Sequence, residues 1–159
     1  MPPTILSPTR GGRASYPNQD RAIAIAKERG ESLLFLYVSN VQFLGLTAMP
    51  IVVDLETEID EMGEFLLAMA QERAEKAGVH AEATVRRGVF RNVIKDVIQE
   101  YTIQTVVLGY SGEGQGLLTA DYIRELGREV SRETGVEFIV VHDGQVVQTY
   151  PPATEQTAE

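Results

Sequence analysis

Three stretches are apolar at nearly every position: LLFLYV at Leu33–Val38, TVVLG at Thr105–Gly109 and VEFIVV at Val136–Val141. A strand with one face in water alternates apolar and polar residues. Runs of this kind need cover on both faces, which a parallel sheet between two layers of helices provides. The segments between them supply those helices. Ser15–Pro17 opens the first, since proline suits a first helical turn, with Ala22, Ile23 and Ala26 as its apolar side and Gly30 as its stop. In the second, Leu55, Ile59, Met62, Leu66 and Met69 recur at spacings of three and four, which predicts a core-facing stripe. Asp54, Glu56 and Glu58 near its start and Arg73 and Lys76 near its end suit the helix dipole. The preceding SNVQFLGLTAMPIVV reads as an irregular connection. Phe90, Ile94, Val97 and Tyr101 mark a third helix, and a fourth is expected over Thr119–Arg132.

TILSP at Thr4–Pro8 reads as the first strand. HAEATVRRG sets Ala81, Ala83 and Val85 against Glu82, Thr84 and Arg86, the alternation of a half-exposed strand at a sheet edge. Asp-Gly in HDGQ favours a tight hairpin turn, after which QVVQTY offers a short return strand. The expected order is β-α-β-α-β-α-β-α-β with an optional sixth strand. This predicts one α/β domain over residues 1–150, with a disordered polar tail over residues 151–159. Ligands of such a sheet bind outside the carboxyl ends of the strands where the strand order reverses. Here those are the loops after Pro8, Val38 and Gly109.

Several function classes lose support from composition. The net charge of −9 opposes DNA, RNA and anionic membranes as partners. No apolar run nears the roughly 20 residues of a membrane span. With no cysteine there is neither a disulfide nor a thiolate metal site. MPPTILSPTR has no basic stretch followed by a long apolar one, so no secretory leader is expected, and the cytoplasm is the expected compartment. His80 and His142 lack metal-spaced partners, and Ser7, Ser15 and Ser111 lack the surroundings of a nucleophile elbow. No catalytic residue is assigned.

The segments ILSPTRGG, FLYVSN, VRRGVFRNVIKDVI, VVLGYSGEGQG and EFIVVHDG occur in an order and at spacings that resemble the universal stress protein (UspA-like) family, from about Thr4 to His142. The resemblance implies a Rossmann-like five-stranded parallel sheet in the order 3-2-1-4-5, of the adenine nucleotide alpha hydrolase-like class. It also implies a homodimer through strand five, where Phe138, Ile139, Val140 and Val141 would form an apolar edge. An apolar edge invites pairing with a second chain, and a return strand from QVVQTY is the in-chain alternative. Partner pairing is the expectation taken here, with other protein partners also open.

ATP-binding members of that family carry Gly, two residues, Gly, nine residues, Gly, then Ser or Thr, and an Asp after strand one. In this chain Gly109 and Gly112 match the first pair, Tyr122 and Ile123 stand where Gly and Ser would be, and Arg10 stands at the Asp position. Bulk where backbone must approach phosphate, a lost hydroxyl and a reversed charge all argue against ordinary ATP affinity. Asp121 would also compete for the positive end of the fourth helix. On this reading no cofactor is expected, the glycines serve to turn the loop, and Thr119 caps the helix. Arg10 and Arg13, with Ser111, Gly114, Gly116 and Thr119, leave ATP or another adenine nucleotide open as ligand of an altered loop. The candidate binding set is Pro8, Thr9, Arg10, Val38, Gly109, Gly112, Gly114 and Gly116. SPTRGGRAS lacks the Asp-Ser of an ATP pyrophosphatase loop, so that enzyme class carries little weight.

Overall fold

The computed structural model describes residues 2–39, 50–110 and 119–153, with backbone only over residues 50–59. The elements are β1 (Ile5–Pro8), α1 (Tyr16–Arg29), β2 (Leu33–Ser39), α2 (Pro50–Lys76), β3 (Ala81–Arg87) and α3 (Phe90–Tyr101). They continue with β4 (Thr105–Tyr110), α4 (Ala120–Thr134), β5 (Glu137–His142) and β6 (Gln145–Tyr150). One sheet runs in the order β3-β2-β1-β4-β5-β6, parallel through β5 and antiparallel at β6.

The continuously apolar runs lie where two-sided cover is available. On one face Leu6, Leu34, Leu36, Val106, Leu108, Phe138 and Val140 pack under α3 and α4. On the other, Ile5, Leu33, Phe35, Val107, Ile139 and Val141 pack under α1 and α2. The alternating strand, β3, is the outer edge beside β2, as its pattern predicts.

Two expectations are corrected. The connection before the second helix ends earlier than expected, because α2 already begins at Pro50. The stripe predicted for that helix is also rotated. Met62 is 59% exposed and Met69 37%, whereas Gly63, Leu67, Ala70 and Ala74 face the sheet. Spacings of three and four fit two neighbouring faces of a helix, and here the smaller side chains took the inward one. A side chain at Gly63 would start 2.6 Å from the Tyr37 ring, so α2 sits too close to β2 to admit the larger residues there. Leu55 and Ile59 lie outside the residues whose side chains are described.

The edge of β5 is taken within the chain. A two-residue turn, with Asp143 at φ 47° and Gly144 at φ 86°, returns β6 antiparallel along it. Phe138, Ile139, Val140 and Val141 are each 4% exposed or less, so they are not an exposed apolar edge, and the edge strand is β6. The expectation rested on the apolar content of VEFIVV, and that content is accounted for by the two helical layers and β6. Just past β6, the Ser131 hydroxyl donates to the Pro151 carbonyl at 3.1 Å and the Ala153 N–H donates to the Gly135 carbonyl at 3.0 Å. Residues 154–159 lie outside the described residues.

Ion pairs tie α3 to its neighbours. Glu129 on α4 meets Arg91 at 3.1 Å and Lys95 at 2.9 Å, and Arg86 on β3 meets Glu100 at 2.8 Å. The hydrogen bond from Lys95 is the main cause holding the Glu129 carboxyl below its ordinary value, and that from Arg86 does the same for Glu100. A carboxyl lowered by folding stabilises the native state above its unfolded value, and that stability is lost as pH falls through the native one. Urea midpoints should therefore drop as pH is taken below about 4.5, the ordinary carboxylate value. The drop should be shallower in an Glu100→Gln, Glu129→Gln double variant, and parallel pH profiles would exclude these pairs as its source.

Candidate functional site

At the reversal point of the sheet, β1 stands between β2 and β4, with Pro8 beside Leu36 and Leu6 beside Val106. Pro8, Thr9 and Arg10 at and beyond β1, Val38 on β2 and Gly109 on β4 therefore share one end of the sheet. Gly112, Gly114 and Gly116 lie outside the described residues, as does Ser111.

The loop after β1 is held by its own scaffold. The Thr9 N–H donates to the Leu36 carbonyl at 2.9 Å. The Thr9 hydroxyl oxygen accepts from the Gly11 N–H at 3.1 Å and from Gln19 Nε2 at 2.9 Å. Gln19, on α1, is buried, and its Oε1 accepts from Arg73 of α2 at 2.8 Å. Arg73 also pairs with Asp20, and its guanidinium carbon lies 3.9 Å from the centre of the Tyr16 ring. Gly11, at φ 74°, rests against Leu66, where an added Cβ would come within 2.5 Å of the leucine Cβ. Arg10 and Arg13 point outward from this loop into solvent and have no ion-pair partner among the described residues.

The β4 end is held in the same manner. Asn18 Nδ2 donates to the Tyr110 carbonyl at 3.2 Å, and Asn18 Oδ1 accepts from the Gly144 N–H at 2.9 Å. Arg21 Nε donates to the Gly144 carbonyl at 2.7 Å. A Cβ at Gly109 would lie 2.5 Å from Asn18 Nδ2 and 2.9 Å from the Val141 carbonyl oxygen. Glycine at 109 thus has a packing cause independent of any ligand. Beside it the Tyr110 and His142 rings stack at 4.4 Å and 17°, and His142 Nε2 lies 3.3 Å from Asp143 Oδ2.

At the start of α4, Thr119 Oγ1 accepts from the Tyr122 N–H at 3.2 Å, and the Thr119 carbonyl accepts from the Ile123 N–H at 3.0 Å. Asp121 lies in the first turn. Ile123 is fully buried, and Tyr122 packs against the core with Arg91 5.7 Å above its ring. Arg86 and Arg87 pair with Glu100 and Asp60. An open groove lined by Glu64, Leu67, Gln71, Ala83, Thr84 and Val85 runs between α2 and β3, beside the sheet and away from the strand ends.

Asn18 and Gln19 escaped the sequence reading, and Arg73 was read only as a basic residue near a helix end. They form no motif, and their partners stand 10 to 126 positions away. The one local signal is the pair of adjacent amides just after Pro17, in the first turn of a helix whose N-terminus follows the β1 loop.

The family model described as "Universal stress protein family" matches residues 1–142. No curated relative matches the sequence. Among solved structures, the chain is similar to the universal stress protein UspA from Lactobacillus plantarum, with 18% identity, 87% of this chain and 97% of that one covered, and a TM-score of 0.66. It is also similar to a universal stress protein in complex with cAMP, at 20% identity, 89% and 98% coverage and a TM-score of 0.63. A third similarity is to the universal stress protein from Archaeoglobus fulgidus in complex with dAMP, at 14% identity, 91% and 98% coverage and a TM-score of 0.57. At these identities the structural matches speak for the fold alone.

Proposed function

This chain belongs to the universal stress protein family, and from that premise we propose that it is a non-catalytic, self-associating regulatory protein of the cytoplasm whose nucleotide site is degenerate. The observation that carries this reading is the bonding at the start of α4. A phosphate held at a helix N-terminus needs free N–H donors and an uncontested positive end. At the two positions where the family pattern has Gly and Ser, the N–H groups of Tyr122 and Ile123 are both bonded to Thr119. Asp121 adds negative charge to the same turn. Asn18 fills the space over Gly109, and Arg10 replaces the expected carboxylate. These features argue against ATP as the ligand of this end of the sheet.

Differential scanning fluorimetry tests the reading. A ligand at a hundredfold excess over its Kd stabilises the native state by about 2.7 kcal/mol. In a domain of this size that is a rise of about 8 °C. Millimolar ATP, ADP and AMP with magnesium are expected to leave Tm unchanged. A rise of that size with any of them would overturn the degenerate site.

A second reading is favoured by one observation, the two guanidinium groups of Arg10 and Arg13 without ion-pair partners among the described residues. The cAMP and dAMP complexes of similar folds make an adenine nucleotide the ligand to try. Under this reading the nucleotide rise in Tm occurs and disappears in Arg10→Ala.

Self-association belongs to the proposal as well. A homodimer through strand five, with Phe138, Ile139, Val140 and Val141 at its centre, requires β6 to leave the β5 edge.

A further inference from the structure

The outer side of β3 presents a short stretch of open backbone beside α2. The His80 carbonyl accepts from the Leu33 N–H, and the Gly88 N–H donates to the Ser39 carbonyl, both across to β2. Successive strand residues turn their backbone groups to opposite sides. The even-numbered residues of β3 therefore bond to β2, and Ala81, Ala83, Val85 and Arg87 turn their backbone groups outward. Gln71 on α2 donates to the Ala81 carbonyl at 3.0 Å, which closes one end of that row. Arg87, paired with Asp60, stands at the other end. Between them the N–H and carbonyl groups of Ala83 and Val85 have no partner among the described residues. These groups border the groove between β3 and α2. The Ala83 and Val85 side chains lie on the α2 face of the sheet, in the cluster that holds Leu67, and the small side chain of Ala83 leaves the groove floor open. On the α2 wall the Glu64 carboxylate is exposed and has no ion-pair partner among the described residues.

We propose that this groove docks an extended basic peptide segment of another protein, which adds to β3 as a short outer strand and sets a Lys or Arg side chain against Glu64. The inference is independent of both the nucleotide and the self-association parts of the proposed function. Open backbone donors and acceptors along a strand are complementary to another extended chain, and neighbouring pockets then select its side chains. Directly opposed residues share a sheet face, so the guest residue beside Ala83 lies on the α2 side. A long cationic side chain fits that place, with its aliphatic stem along Ala83 and Leu67 and its head at the carboxylate. The sign of the guest follows from charge. Arg86 and Arg87 are already matched by Glu100 and Asp60, Glu64 is not matched, and the chain as a whole carries −9. The closed ends hold the platform to Ala83–Val85, which suits a short guest and not the edge of a second sheet.

Two capped peptides, acetyl-TVKVT-amide and acetyl-TVEVT-amide, test the proposal by NMR titration of the isotope-labelled full chain. At millimolar concentration the lysine peptide is expected to shift the amide signals of Ala83 and Val85 and to slow their hydrogen exchange. The glutamate peptide should bind at least about fivefold more weakly, since it sets like charges together. Glu64→Gln, an exposed change on α2, should weaken the lysine peptide by about threefold and narrow the gap between the two peptides. Ala83→Pro deletes one outward N–H and no bond to β2, a substitution that an edge strand tolerates. It should abolish binding while circular dichroism stays at the wild-type signal. Unmoved Ala83 and Val85 signals at millimolar lysine peptide would overturn the proposal. Equal binding of the two peptides to the wild-type chain, or binding that survives Ala83→Pro, would overturn it as well.

Discussion

Ile123→Ser, which returns to this chain the residue type found in ATP-binding relatives, is expected to destabilise the protein by about 3–5 kcal/mol and to bring no nucleotide binding with it. Ile123 is fully buried, in the cluster that joins α3 and α4 to Leu6, Val106 and Phe138. Serine there removes most of a large aliphatic side chain, leaves a cavity and places a hydroxyl among apolar neighbours. Truncating a buried isoleucine to alanine costs roughly 2–5 kcal/mol, and the hydroxyl adds to that unless it bonds back within the helix. That loss is a large share of a typical domain's 5–15 kcal/mol. Urea denaturation of the single variant measures it. Adding Tyr122→Gly should deepen the loss, since Tyr122 packs on the same cluster and glycine is a poor helix residue. A variant of wild-type stability with a nucleotide-dependent rise in Tm would show that α4 can still serve as a phosphate site, against the proposed function.

Gly109→Ala carries the second large effect. Its methyl group would sit 2.5 Å from Asn18 Nδ2 and 2.9 Å from the Val141 carbonyl oxygen. Asn18 must then leave, and with it go the bonds to the Tyr110 carbonyl and the Gly144 N–H. The Val141 carbonyl belongs to β5 and has little room to move. Overpacking of this kind costs ~1–3 kcal/mol, and unpaired polar groups add to it, so a total of about 2–4 kcal/mol is expected. A double-mutant cycle isolates the cause. In an Asn18→Ala background Gly109→Ala should cost clearly less, because only the carbonyl contact remains. Additive costs would show that Asn18 is not what requires glycine at 109.

These two positions show where the sequence was legible. The apolar runs specify strands in a two-sided sheet because nothing else can bury every side chain of LLFLYV, and the Asp-Gly turn has few alternatives. Thr119 is readable as a cap because capping acts over three residues. Gly109 is different. The loop around it suggested a phosphate cradle, and its packing cause is a side chain 91 positions earlier, which no local pattern announces. The rotation of α2 was hidden for a related reason. Large apolar residues lie on one face and small ones on the next, and only the closeness of Tyr37 to Gly63 decides which turns inward. The identity of the edge strand depended on whether QVVQTY folds back, a choice between intrachain and interchain pairing that the same residues satisfy either way.

The brace from Arg73 through Gln19 to Thr9 has a consequence for how anything docks at the β1 end. Each polar group in that relay already has its partner inside the fold, so loosening the loop would forfeit bonds with no replacement waiting. A visitor therefore meets a preformed surface that does not mould itself to shape, and the speed of capture is set by collision and orientation instead of by a slow rearrangement of the host.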